Sequence, residues 1–380
     1  MSIEIRQHVP GKDTGAFIEA AFEVFRGDKA WIAPLHMMVK ERLDPKKDPC
    51  HEHIEVALFT AWKDGKLVGR VSASVDRGWL DLWKDSTGHF GYFDTIDDEE
   101  VARALLDRAE QWLLAKGMKR INGPMSLSAN QEIGLLVSGF EHPPVLDMGH
   151  SRDYQGALAE KCGYTKEKDL FAWRYESTGQ FNARSLNAWT AITALPEVRL
   201  RSVEISNLRD ELGVIMDIYN ENWAGKWGYV PLGAKELDKL ASDMSLVLDP
   251  SIAFIAEIDG KPAGMCIAVP NLNEAISDMG GSLFPFNWAK LLWRTKVRNP
   301  QSSRLILLGV RHQVRKNMKR YGGLSAAMYV EVAKRGFAKG YKWGELGWTR
   351  EDDAPINLGI RSMGAKIYKT YRVYEKSLSP

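Results

Sequence analysis

The segment from Leu305 to Ser325 combines the features of a phosphate-binding site. The apolar run 305–310 leads into a basic stretch and then into a glycine-bearing loop that precedes a predicted helix. Such a loop presents backbone N–H groups, mobile cations and the positive end of a helix dipole to an anion. Neither Gly-x-x-x-x-Gly-Lys-Ser/Thr nor Gly-x-Gly-x-x-Gly occurs there. What remains is Arg-x-x-Gly-x-Ser, from Arg320 through Gly323 to Ser325.

This loop resembles the Gln/Arg-x-x-Gly-x-Gly/Ala signature of the GCN5-related N-acetyltransferase (GNAT) superfamily, in which it grips the pyrophosphate of coenzyme A. A helix ending at Gly340, a strand through 343–348, a short helix starting near Asn357 and a last strand follow in the family's order. Two features depart from the pattern: Ser325 replaces the final small residue, and the loop after Val310 is longer, so Arg315 is a candidate to share the phosphate role. The resemblance implies that acyl-CoA is the co-substrate and that the residues binding it are Leu308, Gly309, Val310, Arg315, Arg320, Tyr321, Gly322, Gly323, Leu324, Ser325 and Asn357.

Amide synthesis from a thioester requires a base for the amine, donors for the oxyanion and an acid for the leaving thiolate. The resemblance places a carboxylate base at Glu345, although pairing with a neighbouring Lys or Arg would equally explain that residue. The tyrosine that serves as acid in many relatives is replaced by Ile360, so Tyr368 and Tyr371 are the candidate acids. Backbone N–H groups near Val310 are the implied oxyanion donors.

Two further regions could bind an acceptor. The segment 220–231 is rich in aromatic, glycine and amide residues, which suit a long apolar ligand with a polar head, or simply a packed loop. The first half of the chain contains a predicted insertion relative to the second, around 123–144, which we call the first-half insertion. Polar residues in and after it could face the same site or make ordinary buried hydrogen bonds. The candidate acceptor residues are Asn222, Trp223, Trp227, Tyr229, Glu132 and His150.

The segment 283–298 contains four aromatic residues and four cations but no acid. This composition is typical of a segment at a membrane interface, and a lid helix packed on its own domain is the alternative. Phe286 and Trp288 are therefore candidate substrate contacts beside the predicted acyl site.

The elements that must position these residues occur twice. The turn Asp64-Gly65-Lys66 between apolar runs matches Asp259-Gly260-Lys261, and each predicts a β-hairpin. Later glycines repeat in the same order. We therefore predict an α/β fold with two tandem GNAT-like domains, 1–178 and 196–380, joined by a mostly helical linker, 179–195; each domain has a mixed, mostly antiparallel sheet flanked by helices. Carboxylates in the segment 92–100 of the first half would repel a pyrophosphate, so we predict a single coenzyme A site, in the second half.

Composition narrows the function classes. With 380 residues, 44% hydrophobic and 26% charged residues and a net charge of +2, the chain is typical of a globular protein and gives no general attraction to nucleic acid. The three cysteines lack metal or redox spacing, and the run Cys50-His51-Glu52-His53 has no partner pair, so no metal is expected. We expect a cytoplasmic protein, with peripheral contact on the inner membrane face as one possibility.

Several longer runs resemble a narrower group, the bacterial ceramide synthases. They are Gly123-Pro124-Met125, 132–137, Pro143-Pro144, 222–231, 272–275 and 368–375. That resemblance implies transfer of a fatty acyl chain from coenzyme A to the amino group of a sphingoid base or its 3-oxo form. Acetylation of a small soluble amine and non-catalytic coenzyme A sensing are the alternatives.

Overall fold

The computed structural model describes residues 2–378, apart from the side chain of Lys296. The first half contains, in chain order, β1 (Ile3–His8), α1 (Gly15–Val24), α2 (His36–Arg42), β2 (Ile54–Lys63), β3 (Lys66–Asp76), α3 (Arg77–Trp83), β4 (Thr87–Thr95), α4 (Glu99–Ala115), β5 (Arg120–Gly123), β6 (Leu135–Ser138), α5 (Gln155–Lys161) and β7 (Thr165–Glu176).

The helix α6 (Ala183–Thr193) lies within the predicted linker. The second half continues with β8 (Val198–Ser202), α7 (Leu208–Trp223), α8 (Ala234–Val247), β9 (Ala253–Ile258), β10 (Lys261–Pro270), α9 (Leu272–Ile276), α10 (Asn287–Trp293), β11 (Ser302–Val310), α11 (His312–Lys316), α12 (Met318–Tyr321), α13 (Leu324–Lys339), β12 (Trp343–Arg350), α14 (Ala354–Ser362) and β13 (Lys366–Ser377).

Both predicted hairpins form. Asp64 and Gly65 have φ of 51° and 77°, and Asp259 and Gly260 have φ of 50° and 71°. Positive φ at both central residues is the requirement of a type I′ turn, which Asp-Gly meets with little strain and which matches the twist of the flanking strands. The turns join β2 to β3 and β9 to β10, so the strongest local signals are confirmed.

Across residues 2–378 the strands build one thirteen-stranded sheet. Its order is β1-β2-β3-β4-β5-β13-β7-β12-β11-β10-β9-β8, with β6 also paired to β13. All neighbouring strands are antiparallel except two pairs, β4 with β5 and β11 with β12, which hold equivalent places in the two halves. The predicted mixed, mostly antiparallel sheet flanked by helices is confirmed.

The last strands of the two halves are exchanged. β13, from the end of the chain, lies between β5 and β7, while β7 lies between β13 and β12. Each half therefore completes its sheet with the closing strand of the other, so the two halves share one hydrogen-bonded framework. The sequence analysis assigned each closing strand to its own domain and contained no signal for this exchange; the boundary at 179–195 stays a prediction.

Helices cover the sheet on both faces. In the first half, α4 buries Leu105, Leu106 and Ala109 against the sheet, and in the second half α13 buries Leu324, Ala327 and Met328 in the same way. On the opposite face of the second half, α7 packs Leu212 and Ile215 against β9 and β10. A further core joins the halves around Met125, Val145, Met148, Tyr371 and Val373.

The shared sheet predicts that the two halves unfold together. Val373 of β13 is fully buried between them, so Val373→Ala should lower the free energy of unfolding by about 2 kcal/mol. Urea denaturation followed by tryptophan fluorescence and by far-UV circular dichroism should show one coincident transition in both proteins. The partly exposed Ile367 of the same strand provides the control, Ile367→Ala, with a smaller loss. Two separate transitions, only one of which responds to Val373→Ala, would contradict the prediction.

Candidate functional site

A V-shaped opening lies between β11 and β12. The two strands pair only from Ser302 to Leu305 of β11, against Trp343 to Leu346 of β12. Beyond that point β11 stays with β10 while β12 follows β7. Within the described chain, residues 306–310 have no strand on this side, so backbone donors and acceptors of β11 are left for a ligand lying in the opening. The predicted residues Leu308, Gly309 and Val310 lie on this edge.

The equivalent place in the first half is filled by the chain itself. β4 and β5 pair at 87–89 and 120–122, and just beyond, the Met125 backbone N–H donates to the Phe90 carbonyl at 2.7 Å. A Cβ on Gly91 would lie 1.9 Å from the Met125 carbonyl oxygen, and one on Gly123 would lie 2.2 Å from that of Phe90. Glycine is needed at both positions because backbone crosses backbone there. This packing leaves no equivalent opening between β4 and β5.

The start of the next helix also differs between the two halves. Asp98 caps α4 by accepting hydrogen bonds from the backbone N–H groups of Glu100 and Val101, and acids occupy the first turn. In contrast, α13 begins after Gly323 without a side-chain cap. Its first N–H groups and its dipole are therefore free to hold an anion, whereas those of α4 are already matched by carboxylates.

The cations before α13 fall into two groups. Arg320 is paired with Glu197, its Nε donating at 2.6 Å, and the Tyr321 hydroxyl donates to the same carboxylate at 3.2 Å. Three others are exposed and have no ion pair within the described chain; they are Arg315, Lys316 and Lys319. The longer loop thus adds exposed cations, while the signature arginine, Arg320, already has a partner; a phosphate contact by Arg315 stays a prediction. Gly323 itself packs beneath α6, where an added Cβ would lie 3.3 Å from that of Ala188.

Glu345 and Tyr368, both predicted from the sequence, are brought together. Glu345 is fully buried on β12 and accepts a hydrogen bond from the Tyr368 hydroxyl through Oε2. Its Oε1 is 3.6 Å from Nε of Arg304, its register partner on β11, and neither of these atoms has a hydrogen-bond partner in the described chain. Burial raises the pKa of Glu345, while Arg304, Lys369 and the Tyr368 hydrogen bond oppose that rise. Burial and the adjacent carboxylate raise the pKa of Tyr368.

Tyr371 has a different environment. It is fully buried, and its hydroxyl donates at 3.2 Å to the carbonyl of Gly149 in the first half. Burial holds its pKa well above the ordinary value. Tyr371 therefore connects β13 to the segment just after the first-half insertion, whereas Tyr368 contacts the buried carboxylate directly.

Two buried cations beside Glu345 were missed by the sequence analysis. Arg304 donates from Nη1 to the Leu146 carbonyl at 2.7 Å, and Lys369 donates from Nζ to the Pro143 carbonyl at 2.7 Å. Burial lowers the pKa of Lys369 to about 8, with Glu345 and Glu141 acting in the opposite direction. The available signal was weak: an arginine directly before an apolar strand, and a lysine among the regularly spaced tyrosines of the last strand.

The acceptor segment 220–231 divides between the opening and the first half. Trp223 and Asn222 lie over Gly309, because a Cβ there would be 3.2 Å from the Trp223 ring and 3.4 Å from the Asn222 amide. Trp227 donates to Glu167 at 2.9 Å, and the Tyr229 hydroxyl donates to Asn220 at 2.9 Å. The structure thus brings Asn222 and Trp223 to the β11 edge, while Trp227 contacts the first half.

The two candidates from the first half lie in separate polar clusters. Glu132 is 3.8 Å from Nη1 of Arg42, and burial raises its pKa. His150 Nε2 is 3.1 Å from Oδ2 of Asp28, and burial lowers its pKa. Asp28 also lines an open groove of about 470 Å³, whose other walls are Lys29, Ala30, Phe140, Glu141, Ser151, Arg152 and Asp153.

Asn357 closes the end of β12. Its side chain accepts a hydrogen bond from the Thr349 hydroxyl at 2.6 Å and donates to the Arg350 carbonyl at 2.8 Å. These bonds fix the start of α14 against one side of the V-shaped opening. A direct contact between Asn357 and a ligand stays a prediction.

The basic aromatic segment forms α10 and a following π-helical turn, Arg294–Arg298. Phe286 is 78% exposed and Trp288 is 50% exposed. Lys290 and Arg294 pair with Asp278 at 2.6 and 2.7 Å. We call the apolar side chains exposed here the aromatic surface; it consists of Phe284, Phe286, Trp288, Leu292, Trp293 and Val297.

No helix among residues 2–378 is long and apolar enough to cross a membrane. The same residues contain no cluster of three or more His, Cys, Asp or Glu side chains arranged to hold a metal ion. In the run that suggested a metal fragment, His53 instead bridges Asp76 at 2.9 Å and Glu236 at 3.3 Å.

The chain is similar to known proteins along most of its length. The chain is 38% identical over 361 residues to "Bacterial ceramide synthase" of Caulobacter vibrioides (strain NA1000 / CB15N), covering 92% of this chain and 91% of the relative. It is 35% identical over 375 residues to "Protein YghO" of Escherichia coli (strain K12), covering 98% and 95%. No protein-family model matches the chain.

Solved structures share the fold at low sequence identity. A tandem GNAT protein from the clavulanic acid biosynthesis pathway covers 100% of this chain and 99% of its own, with a TM-score of 0.56 and 12% identity. A GCN5-related N-acetyltransferase from Sphaerobacter thermophilus covers 100% and 96%, with a TM-score of 0.54 and 12% identity.

The fold and the relatives together define an N-acyltransferase of the tandem GNAT class. More narrowly, the chain belongs to the bacterial ceramide synthase family.

The buried Lys369 gives stability a defined pH dependence. The unfolded chain keeps this proton up to a pKa of about 10.5, whereas the folded protein releases it near 8. Between these values the unfolded state binds more protons, so the wild type gains stability as pH rises. Relative to Lys369→Met, its free energy of unfolding should rise by about 3 kcal/mol from pH 8 to 10.5.

Urea denaturation at several pH values from 7.5 to 10.5 measures this difference. Groups that titrate in both proteins cancel in the comparison. Lys319→Met, at an exposed lysine, controls for the loss of one positive charge. A flat difference between wild type and Lys369→Met would show that folding does not perturb Lys369.

Proposed function

We propose that this enzyme transfers a fatty acyl chain from acyl-CoA to the amino group of a sphingoid base or its 3-oxo form. The observation that carries the proposal is the opening between β11 and β12, which begins one register pair beyond Arg304 and the buried Glu345 and lies on the strand that leads to the uncapped α13. The 38% identity to a bacterial ceramide synthase supports the choice of substrates.

The co-substrate fits the residues at this opening. The N–H groups at the start of α13, together with Arg315, Lys316 and Lys319, supply donors and positive charge for a pyrophosphate. The unpaired edge 306–310 suits an amide-containing chain such as pantetheine, which can hydrogen bond as an extra strand would. We therefore propose one acyl-CoA site, in the second half, with Gly323 at its helix start.

The proton transfers can be assigned to the chain's own residues. Glu345, directly or through a water, takes a proton from the substrate ammonium so that nitrogen can attack the thioester carbon. Backbone N–H groups near Val310 stabilise the oxyanion. When the carbon–sulfur bond breaks, we propose that Tyr368 passes this proton from Glu345 to the thiolate, since its hydroxyl donates to that carboxylate. Nitrogen loses a second proton to solvent as the tetrahedral intermediate collapses to the amide. The ammonium thus loses two protons, one to the sulfur and one to solvent, so the step balances. Tyr371 stays a second candidate acid.

The acceptor would bind on the same face as Glu345. Asn222 and Trp223 lie at the β11 edge, and the first half contributes Tyr371's partner segment around Gly149 and the groove near His150. We propose that the first half acts as an acceptor-shaping domain, with Glu132 in a supporting position. Trp227 and Tyr229 of the second half would support the same face.

The direct test is an assay of thiol release. Acetyl-, octanoyl- and palmitoyl-CoA are each combined with sphinganine, 3-oxosphinganine or spermidine, and products are identified by mass spectrometry. We expect N-acylated sphingoid product only with the longer donors, and a loss of about 10²- to 10⁴-fold in kcat for Glu345→Gln with the folded structure retained. Reaction of acetyl-CoA with spermidine alone would refute the lipid substrate.

The aromatic surface suggests how such substrates are reached. Six exposed apolar side chains suit the interface of an anionic membrane, with rings in the headgroup region. The exposed Arg298 beside them adds a cation for the phosphates, whereas Lys290 and Arg294 already pair with Asp278. We propose a cytoplasmic enzyme that binds an anionic membrane peripherally through its aromatic surface.

Liposome cosedimentation tests the membrane contact. Vesicles containing about one third phosphatidylglycerol should bind the wild type and should bind Trp288→Ala/Trp293→Ala at least about tenfold less, because two interfacial aromatics are lost. Leu246→Ala/Leu358→Ala removes two exposed apolar side chains elsewhere and provides the matched control. Equal binding of all three proteins, or none by the wild type, would contradict the proposal.

A further inference from the structure

The surroundings of Lys369 are unusual for a lysine. Its side chain has no exposed surface, although a buried ammonium is costly unless it is paired. Nζ donates to the carbonyl of Pro143, at 2.7 Å, and lies 5.3 Å from the ring centre of Tyr368. The same tyrosine donates its hydroxyl to Glu345. One buried cluster thus contains a lysine, a tyrosine and the carboxylate.

The charged groups around this lysine come from both halves. Glu345 faces it from β12, and Glu141 faces it from the first-half insertion; both favour the protonated amine. A charge on Lys369 also disfavours protonation of His150, and Arg304 favours the ionised form of Glu345 as Lys369 does. Ala172 is its neighbour across β7 and carries no charge. Burial is the largest influence on the pKa of Lys369 and lowers it to about 8. The amine can therefore lose its proton at mildly alkaline pH.

Local packing fixes the position of the amine. A Cβ added to Gly139 would lie 2.9 Å from Cγ of Lys369 and 2.3 Å from the Tyr368 carbonyl oxygen. The segment 139–143 therefore lies directly on the bulged part of β13 and holds the lysine against the cluster. Lys369 belongs to the second half, yet the contacts that position it come from the first.

We infer that Lys369 is a positioning residue that keeps the buried Glu345 ionised, and so able to accept a proton, through the positive charge of its own side chain. This inference rests on the proposed role of Glu345 as the base. Arg304 supplies a permanent charge 3.6 Å from the carboxylate, while Lys369 supplies one that can be lost. The segment 139–143 of the first half thereby contributes to proton transfer by positioning Lys369.

Three substitutions separate charge from packing. Lys369→Met removes both the charge and the hydrogen bond, Lys369→Gln keeps a donor for the Pro143 carbonyl without charge, and Lys369→Arg keeps the charge. The readout is the acidic limb of kcat against pH, with both substrates saturating. Loss of a nearby positive charge raises the pKa of a carboxylate, so Lys369→Met and Lys369→Gln should shift this limb to higher pH by about one unit. Lys369→Arg should leave it in place.

Each outcome is decisive. An unshifted limb in an active, folded Lys369→Gln would overturn the inference, even if Lys369→Met failed to fold. A shift in Lys369→Arg as large as in Lys369→Gln would show that packing, not charge, is responsible, and would also overturn it. If Glu345→Gln kept wild-type kcat, the proposed base itself would be refuted; an unshifted limb together with inactive Glu345→Gln would refute the role of Lys369 alone.

Discussion

The exchange of β7 and β13 is the constraint on which the other features depend. Because β13 pairs with β5 and β7, and β7 pairs with β12, neither half can complete its sheet without the other. In this arrangement Tyr368 and Lys369 lie on β13 and reach Glu345 of β12 across β7. The same pairing places Tyr371 against the Gly149 carbonyl and Lys369 against that of Pro143. The buried polar cluster is thus a product of both halves, although its carboxylate belongs to one.

The two halves show how one fold can keep or lose a ligand site. In the first half, backbone fills the gap between β4 and β5, and Asp98 caps the following helix. In the second half, the same gap is open and α13 begins at Gly323 without a side-chain cap. Packing and charge change together. Where the gap is filled, carboxylates occupy the helix start; where it is open, the helix is preceded by cations that have no ion pair within the described chain. The two halves therefore differ in whether the gap and the helix start could accept an anionic ligand.

Sequence reasoning was successful where the physical cause is local. The Asp-Gly turns and the glycine-bearing start of α13 each depend on a few adjacent residues, and both were predicted. The strand exchange depends on pairing between residues about two hundred positions apart, for example Thr370 with Phe171, and local patterns contain no information about it. Arg304 and Lys369 were missed for a related reason. Their burial follows from the packing of both halves, and the register shift between Ile367 and Lys369 breaks the alternation that could have indicated which face the lysine occupies.

We propose that each chain has one coenzyme A site, at the start of α13. Isothermal titration calorimetry of the protein with coenzyme A tests this proposal. We expect a stoichiometry of one, with affinity at least about tenfold weaker in Arg315→Ala/Lys319→Ala, since each removed cation weakens phosphate binding. Lys29→Ala/Lys168→Ala, in the first half, should bind as the wild type does. Two sites per chain, or affinity unchanged by loss of Arg315 and Lys319 but lowered by the first-half substitutions, would refute a single site at α13.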